Sequence, residues 1–224
     1  MEKGIKRKLN DNTNDFERKK FQKEDYKIEV TNLKISVKLP QGVSLKYVEH
    51  RCKLLYRIYK DITWRRGGNN ILTVRYRNRF TYILFKKSLK KREGISCPQH
   101  CNITKIRSES EIPEAIGYLF VIVNQSPTWL NHTIDNISCH TNTKQLIDIV
   151  ELYMNETKIR CNYNPQVFPA LKIYRPKELS GNSKNLCSLV FKSGSVILAG
   201  GNNHEEIREF FNWLLNITQK YPGS

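Results

Sequence analysis

The sequence predicts an α+β fold in which two pseudo-symmetric repeats form one saddle-shaped, curved antiparallel sheet with helices on its convex face. Three observations predict this fold. The order strand, helix, strands, helix occurs twice along the chain. The strand-like segments alternate apolar and polar residues, as strands with one covered face do. At 224 residues, the chain is long enough to bury a sizeable core.

The chain is predicted to begin with a disordered basic and polar tail, residues 1–27. This segment holds nine Lys or Arg and six Asp or Glu, so its net charge is 9 − 6 = +3, and it contains few apolar residues. The two repeats are predicted to span 28–125 and 126–224.

Within the first repeat, a strand is expected from residue 28, because apolar and polar residues alternate from there. A helix should follow Ser44, which is a good N-cap, and its apolar residues recur at helical spacing from Leu45 to Tyr59. Three strand-like segments come next, and a helix over Glu111–Asn124 tolerates Pro113 in its first turn. These segments read ILTVRY, FTYILFK and HCNITKI.

The second repeat follows the same order. TWLNHTIDNISCHT is expected to be a strand, and TKQLIDIVELYMN a helix with Leu146, Ile149, Val150 and Tyr153 on one face. The last predicted helix, HEEIREFFNWLLNITQKY, has an apolar stripe. The strands expected between these helices read FPALKIYRP, LCSLVFKSG and SVILAGG, and the stripe consists of Ile207, Phe210, Phe211, Leu214 and Leu215.

The charge balance favours a polyanion as partner. The chain has 38 Lys and Arg against 21 Asp and Glu, a net charge of +17, and a pI near 9.7. Lys and Arg in such excess attract phosphate backbones whatever the fold. No apolar run is long enough to span a bilayer, and no apolar segment of a secretory signal follows the first charges, so we expect neither a membrane partner nor classical secretion.

The cysteines and the catalytic motifs point away from a metalloprotein or an enzyme. Six cysteines could form three disulfides in an exported protein, but free thiols are expected without a signal peptide. Cys97 and Cys101 enclose the motif CPQHC, but no second close pair completes a zinc site. Neither a phosphate-binding GxxxxGKS loop nor an HExxH helix is present. We therefore expect no cofactor, no metal and no catalytic activity.

The residues YNPQVFPALKIYRP, followed by SLVFKSGSVILAGG and a long amphipathic helix, resemble the second repeat of the TATA-box-binding protein family. That family has the pattern Y-x-P-x-x-F-P-G-L-x-Y-R and then L-I-F-x-S-G-K-x-V-x-T-G. The first repeat matches less well: FTYILFKKS and HCNITKI occupy the corresponding place, with extra residues over Leu89 to Pro98. The resemblance covers about 28–221. The divergence and the Lys, Asn and Ile richness favour a large DNA virus or another compositionally biased genome as source.

The resemblance implies a transcription initiation factor that binds and bends promoter DNA through the minor groove. Proteins of this family kink the duplex by inserting apolar side chains between base steps. The corresponding wedges here are Phe168 and Phe191 in the second repeat and Phe85 and Trp64 in the first. The alternative for each is a place in the core.

The resemblance also places polar residues on the floor of the DNA-binding face. The family has one Asn per repeat at the centre, where its amide donates to the minor-groove acceptors of adenine and thymine. Asn32 and Asn136 match these positions. The other floor positions are Lys34, Ser138, Asn102, Thr104, Ile197 and Ala199, and their departures from the family pattern put a strict TATA preference in doubt. Phosphate contacts are expected from Arg75, Arg77, Lys86, Lys172, Arg175 and Lys192.

The implied partners are A/T-rich promoter duplex, general transcription factors of the TFIIB and TFIIA type, and RNA polymerase machinery, with the protein a monomer on DNA. The implied location is the nucleus, or a cytoplasmic viral factory if the source is a virus. Two alternatives stay open. The chain could be a protein-interaction scaffold that has lost sequence-specific DNA binding, or the substrate-gripping module of a nucleic-acid enzyme.

Overall fold

The computed structural model describes residues 26–39, 43–68, 70–85, 100–125, 131–179, 181–183 and 185–224. These residues form ten strands in one antiparallel sheet and four α-helices. The first repeat contains β1 (Glu29–Lys38), α1 (Leu45–Tyr59), β2 (Ile62–Gly67), β3 (Ile71–Tyr76), β4 (Phe80–Phe85), β5 (His100–Ile106) and α2 (Ile112–Val123). The second contains β6 (His132–Asn142), α3 (Ile149–Asn155), β7 (Cys161–Asn164), β8 (Phe168–Tyr174), β9 (Cys187–Val190), β10 (Ser195–Gly201) and α4 (His204–Thr218).

The order of the strands in the sheet repeats the symmetry of the sequence. It runs β2-β3-β4-β5-β1-β6-β10-β9-β8-β7, so each strand of the first repeat has its counterpart at the same distance from the centre. The strands β1 and β6 pair antiparallel, with Leu33 opposite Ile137. The predicted fold class, two related repeats in a single curved antiparallel sheet with helices, is confirmed.

Alternation along the strands separates the two faces of the sheet. In β1, Leu33, Ile35 and Val37 are fully buried, whereas the residues between them are more exposed. The apolar set belongs to a core cluster shared with residues of all four helices, such as Val48 and Phe210. We call the sheet face toward this cluster the covered face and the opposite one the open face. In β1 the open face carries the polar residues Asn32, Lys34 and Ser36, which alternate with the buried ones.

The helices α1, α2 and α4 begin within one residue of where the sequence signals predict. Ser44 caps α1 by accepting a hydrogen bond from the Tyr47 backbone N–H at 3.1 Å. Pro113 lies in the first turn of α2. The stripe predicted for α4 is buried throughout: Ile207, Phe210, Phe211, Leu214 and Leu215. Within the described part of the chain, no helix combines the length and apolarity needed to cross a membrane.

The helix expected from Thr143 begins later and faces differently. Ile147 makes an isolated bridge with Pro222, and the Asp148 carboxylate caps the N-terminus of α3, so α3 starts at Ile149. Of the predicted buried face, Ile149 is buried, while Leu146, Val150 and Tyr153 are exposed. That part of the prediction is wrong, because α3 is short and Leu152 takes the covered position.

Three other features differ from the sequence prediction. The outer segments β2 and β7, which do not read as strands in the sequence, both pair antiparallel with their neighbours. Tyr26 falls within the predicted tail, but it packs edge-on against Phe211 at 5.8 Å between ring centroids and contacts the core cluster. The rest of the predicted tail, residues 1–25, lies outside the described residues.

Candidate nucleic-acid interface

Four polar side chains surround the centre of the open face. Asn32 is paired with Ser138, and Lys34 with Asn136, on either side of the Leu33–Ile137 pair. All four side chains are partly buried and lie at open-face positions of β1 and β6. The four central floor positions expected from the sequence are therefore brought together at the pseudo-twofold point of the sheet.

The two asparagines make matching contacts with the next strand. Asn32 Oδ1 accepts a hydrogen bond from the Lys105 backbone N–H in β5, and Asn136 Oδ1 accepts one from the Gly200 N–H in β10, both at 2.7 Å. Lys105 and Gly200 both have positive φ, 69° and 95°, at which the register of the strand shifts. Since the oxygen of each amide is engaged, each NH2 group is left to act as a donor. Asn136 Nδ2 lies 3.2 Å from Ser138 Oγ.

The floor differs between the two halves. Asn102 and Thr104 lie in β5, three residues and one residue before Lys105, and Ile197 and Ala199 stand in the same places before Gly200 in β10. All four are partly buried at open-face positions. The first half of the floor is thus polar, and the second is apolar.

A polar network joins the first half of the floor to the centre. Asp135, at a register shift in β6, accepts a hydrogen bond from the Ser36 hydroxyl, and its carboxylate lies 3.6 Å from Lys34 Nζ. Ser36 Oγ is also 2.9 Å from the side-chain amide of Asn102. The two charges are about one third exposed, so their attraction is screened by solvent. The network fixes the positions of these side chains.

Two aromatic rings stand side by side at one end of the open face. Phe168 begins β8, and Phe191 directly follows β9. Their centroids are 6.0 Å apart with the rings nearly perpendicular, and 46% of Phe168 is exposed. A large apolar side chain exposed at a strand end is what insertion between bases requires.

The first repeat presents one ring at the corresponding place. Phe85 ends β4, partly buried and opposite His100, as Phe191 lies opposite Ser195. Ile71 pairs with Phe85. Asn69, two residues before Ile71 in the sequence, takes the place in the first repeat that Phe168 has in the second. The sequence between β2 and β3 contains no aromatic residue.

Trp64 is not a counterpart of Phe168, and the expectation that it protrudes as a wedge is wrong. Its ring packs against the core cluster and meets Tyr56 of α1 edge-on, with centroids 6.1 Å apart. Its neighbour on the same face of β2, Arg66, is bound to Glu49 of α1 at 2.9 Å. The alternation of β2 therefore turns Trp64 to the covered face.

The residues predicted to contact phosphate divide between the faces. Arg75 and Lys172 lie at open-face positions of β3 and β8, and Lys192 is exposed in the turn after Phe191. Arg65 and Arg75 line one concavity of the open face together with Thr63 and Thr73. Lys86 lies outside the described residues.

Arg77 and Arg175 are engaged by partners within the protein, which disfavours the phosphate contacts predicted for them. Arg77 donates to the Tyr118 hydroxyl of α2 at 3.0 Å and pairs with Asp61 at 3.7 Å. Arg175 donates to the carbonyl oxygens of Leu179 and Gly181, at 2.6 and 2.9 Å, and thereby holds the loop after β8.

Three of the five described cysteines are packing residues. Cys52, Cys101 and Cys139 are fully buried on the covered side, and burial raises the pKa of Cys52 to about 12 and that of Cys139 to about 11. Such thiols stay protonated and unreactive at neutral pH. Within the described ranges, no group of three His, Cys, Asp or Glu side chains is arranged to hold a metal ion. Cys97 lies outside those ranges.

Comparison with known proteins decides the family. Residues 131–221 match the family model of transcription factor TFIID, or TATA-binding protein (TBP). The solved structure of Methanococcus jannaschii TBP covers 87% of this chain and 99% of its own, with a TM-score of 0.64 and 18% identity. The second repeat of the chain belongs to the TATA-binding protein family. The chain is thus TBP-like, and its fold is that of TBP.

Other comparisons are weaker. A rolling circle replication initiator protein from Geobacillus stearothermophilus is 10% identical, with a TM-score of 0.38, and covers 87% of this chain and 80% of its own. No curated protein matched at the level of sequence. The family model matches the second repeat, in which the family motif around Phe168 and Phe191 is best kept.

Proposed function

We propose that this TBP-like protein binds the minor groove of an A/T-rich promoter duplex with its open face and bends the DNA. The observation that carries this proposal is the pair of rings at one end of that face, the exposed Phe168 and the partly buried Phe191, 6.0 Å apart. An exposed Phe pair outside the core costs solubility, and DNA bases would cover it. The central amides of Asn32 and Asn136, whose oxygens are already engaged, offer donors to the groove acceptors.

Binding and bending the duplex require both the aromatic rings and the cationic side chains. Unstacking one base step costs a few kcal/mol, which is recovered when the bent duplex contacts more protein surface. Arg75 and Lys172 on the open face, together with the exposed Lys192 next to Phe191, neutralise phosphates and make binding fall with salt. In the first repeat, Phe85 supplies a single ring, so the two ends of the duplex are gripped unequally.

Bending is tested by energy transfer between dyes at the two ends of a short A/T-rich duplex. We expect wild-type protein to bring the dyes closer and the double variant Phe168→Ala, Phe191→Ala to lose most of this change. Because the Lys and Arg contacts remain, its binding at low salt should weaken by about tenfold or less. A matched control is Tyr47→Ala, Tyr56→Ala, which removes two exposed rings of α1 and should leave bending intact.

Two outcomes would contradict the proposal. If the wild-type protein binds the duplex without bringing the dyes closer, the rings are not wedges. If no duplex is bound at low salt, the protein is a scaffold that has lost DNA binding. Cleavage or base excision by the purified protein would instead favour the gripping module of an enzyme; we propose that the chain catalyses no reaction.

The proposal extends to partners and place of action. General transcription factors of the TFIIB and TFIIA type and the RNA polymerase machinery would assemble on the bent complex, with one copy of this protein on the DNA. Its work would be done in the nucleus, or in a cytoplasmic viral factory if the source is a virus. Family membership supports transcription partners in general. Association with purified factors on bent DNA tests the specific ones.

A further inference from the structure

We propose that Asn102 is a hydrogen-bond acceptor on the DNA-binding floor and that it recognises the 2-amino group of guanine. The first-repeat half of the binding site would then accept a G·C pair, whereas the second half would require A·T. This inference rests on the proposed function, because it assumes that the open face meets the minor groove. It assigns sequence selectivity to three residues of this chain, Asn102, Ser36 and Asp135.

The Ser36 hydroxyl has a single proton to donate. Ser36 Oγ contacts both the Asp135 carboxylate and, at 2.9 Å, the Asn102 amide atom assigned as Oδ1, as if its one proton were donated to both. A carboxylate cannot donate, so Ser36 must give its proton to Asp135. The contact with Asn102 is then favourable only when Asn102 turns its NH2 toward Ser36 Oγ, because the two ends of a side-chain amide are assigned by their hydrogen bonds.

This orientation leaves the Asn102 carbonyl oxygen toward the groove. Asn32 and Asn136 are held in the opposite sense, since their oxygens accept backbone N–H groups and their NH2 groups remain. The floor therefore presents donors at its centre and an acceptor beside it. In the minor groove, adenine and thymine offer only acceptors, whereas guanine adds the N2 amino donor. An acceptor on the floor is thus complementary to guanine alone.

The other half of the floor has no such group at the matching place. Ile197 stands where Asn102 stands in the first repeat, and Ala199 replaces Thr104. His140 lies opposite Ile197, but its Nε2 is engaged with Ser195 Oγ at 3.0 Å. A guanine amino group pressed against Ile197 would therefore meet an apolar side chain and lose its hydrogen bond to water, which is costly. The carboxylate that orients the network is neutralised locally by Lys34, 3.6 Å away, so the floor does not repel DNA at this point.

The test compares G·C with inosine·C, which lacks the 2-amino group, at each position of the A/T-rich duplex used for bending. Fluorescence anisotropy competition gives the affinities. Since the protein can bind such a duplex in either direction, a single G·C should bind about three- to tenfold more tightly than inosine·C at two mirrored positions, the range expected for one hydrogen bond. In a duplex with G·C at both mirrored positions, one of the two G·C pairs must face Ile197. This duplex should therefore bind at least about fivefold more weakly than the duplex with a single G·C pair.

Variants assign the effect to Asn102. Asn102→Ile copies the residue of the second repeat and should abolish the preference for G·C over inosine·C. Asn162→Ile makes the same change at an exposed position of β7 and should keep the preference. Ser36→Ala releases the amide and should bring the ratio toward one.

The outcomes separate this inference from the proposed function. If the wild-type protein binds and bends A/T duplexes but G·C is weaker than inosine·C at every position, the inference fails and the proposed function stands. A preference that survives in Asn102→Ile also overturns it. If no duplex is bound at low salt, both fail.

Discussion

At the scale of the residue, Asn136 has two roles that one substitution separates. Its oxygen accepts the Gly200 N–H at 2.7 Å, and the proposed function gives its NH2 the role of a donor to DNA. Asn136→Asp keeps the acceptor but removes the donor. We expect its melting temperature to stay within a few degrees of wild type and its affinity for A/T-rich duplex to fall by about tenfold or more, since a groove donor is removed and a negative charge is added. Thermal melting and anisotropy measure the two effects.

The control for this change is Asn203→Asp. Asn203 Oδ1 also accepts a backbone N–H, that of Glu205 at 2.7 Å, as the N-cap of α4. Asp caps a helix as well as Asn does, so this variant carries the same charge change away from the open face and should bind DNA nearly as wild type. Equal losses in the two variants would mean that charge alone acts. Unchanged binding in Asn136→Asp would remove Asn136 from the interface.

At the scale of the element, α3 depends on its cap. The helix has seven residues, too few to be stable by its own propensity, and Asp148 Oδ1 accepts the N–H groups of Val150 and Glu151 at 3.1 and 2.9 Å. We expect Asp148→Ala to lower the free energy of unfolding by about 1 kcal/mol. Asp148→Asn should restore most of it. Urea unfolding measures both, and equal stability of Asp148→Ala and wild type would contradict the prediction.

The elements also show how much of the secondary structure the local sequence pattern predicts. Strands inside the sheet and long helices follow from alternation and helical spacing, and the position of Ser44 predicts its role as a cap. The outer strands β2 and β7 escape such prediction because an edge strand is short and carries polar or charged residues on its exposed side, as in ITWRRG and CNYN. The start of α3 escapes it because the bridge from Ile147 to Pro222 joins residues far apart in sequence.

At the scale of the whole molecule, the sequence predicts the sheet face of some candidate site residues but not of others. Asn32, Asn136, Phe168 and Phe191 lie on the open face because the family motif fixes their register. Trp64 does not, since β2 carries no such motif and its alternation depends on α1 packing below it. The partners of Arg77 and Arg175 come from α2 and the loop after β8. Local pattern cannot supply such distant contacts.

The arginines that contribute to the net charge of +17 differ in their surroundings, and the salt dependence of DNA binding can measure which of them contact phosphate. Arg65 and Arg75 line a concavity of the open face, whereas Arg77 and Arg79 are held near α2 by Asp61, Glu111 and Glu114. Replacing Arg65 and Arg75 by Gln should reduce the slope of log K against log salt by about 0.9 for each phosphate that is no longer neutralised, up to about two phosphates. Replacing Arg77 and Arg79 by Gln removes the same charge and should leave the slope nearly unchanged, because released counterions count only where phosphates are touched. Equal slopes for the two double variants would show that the DNA responds to total charge, and that the open face has no privileged contact with it.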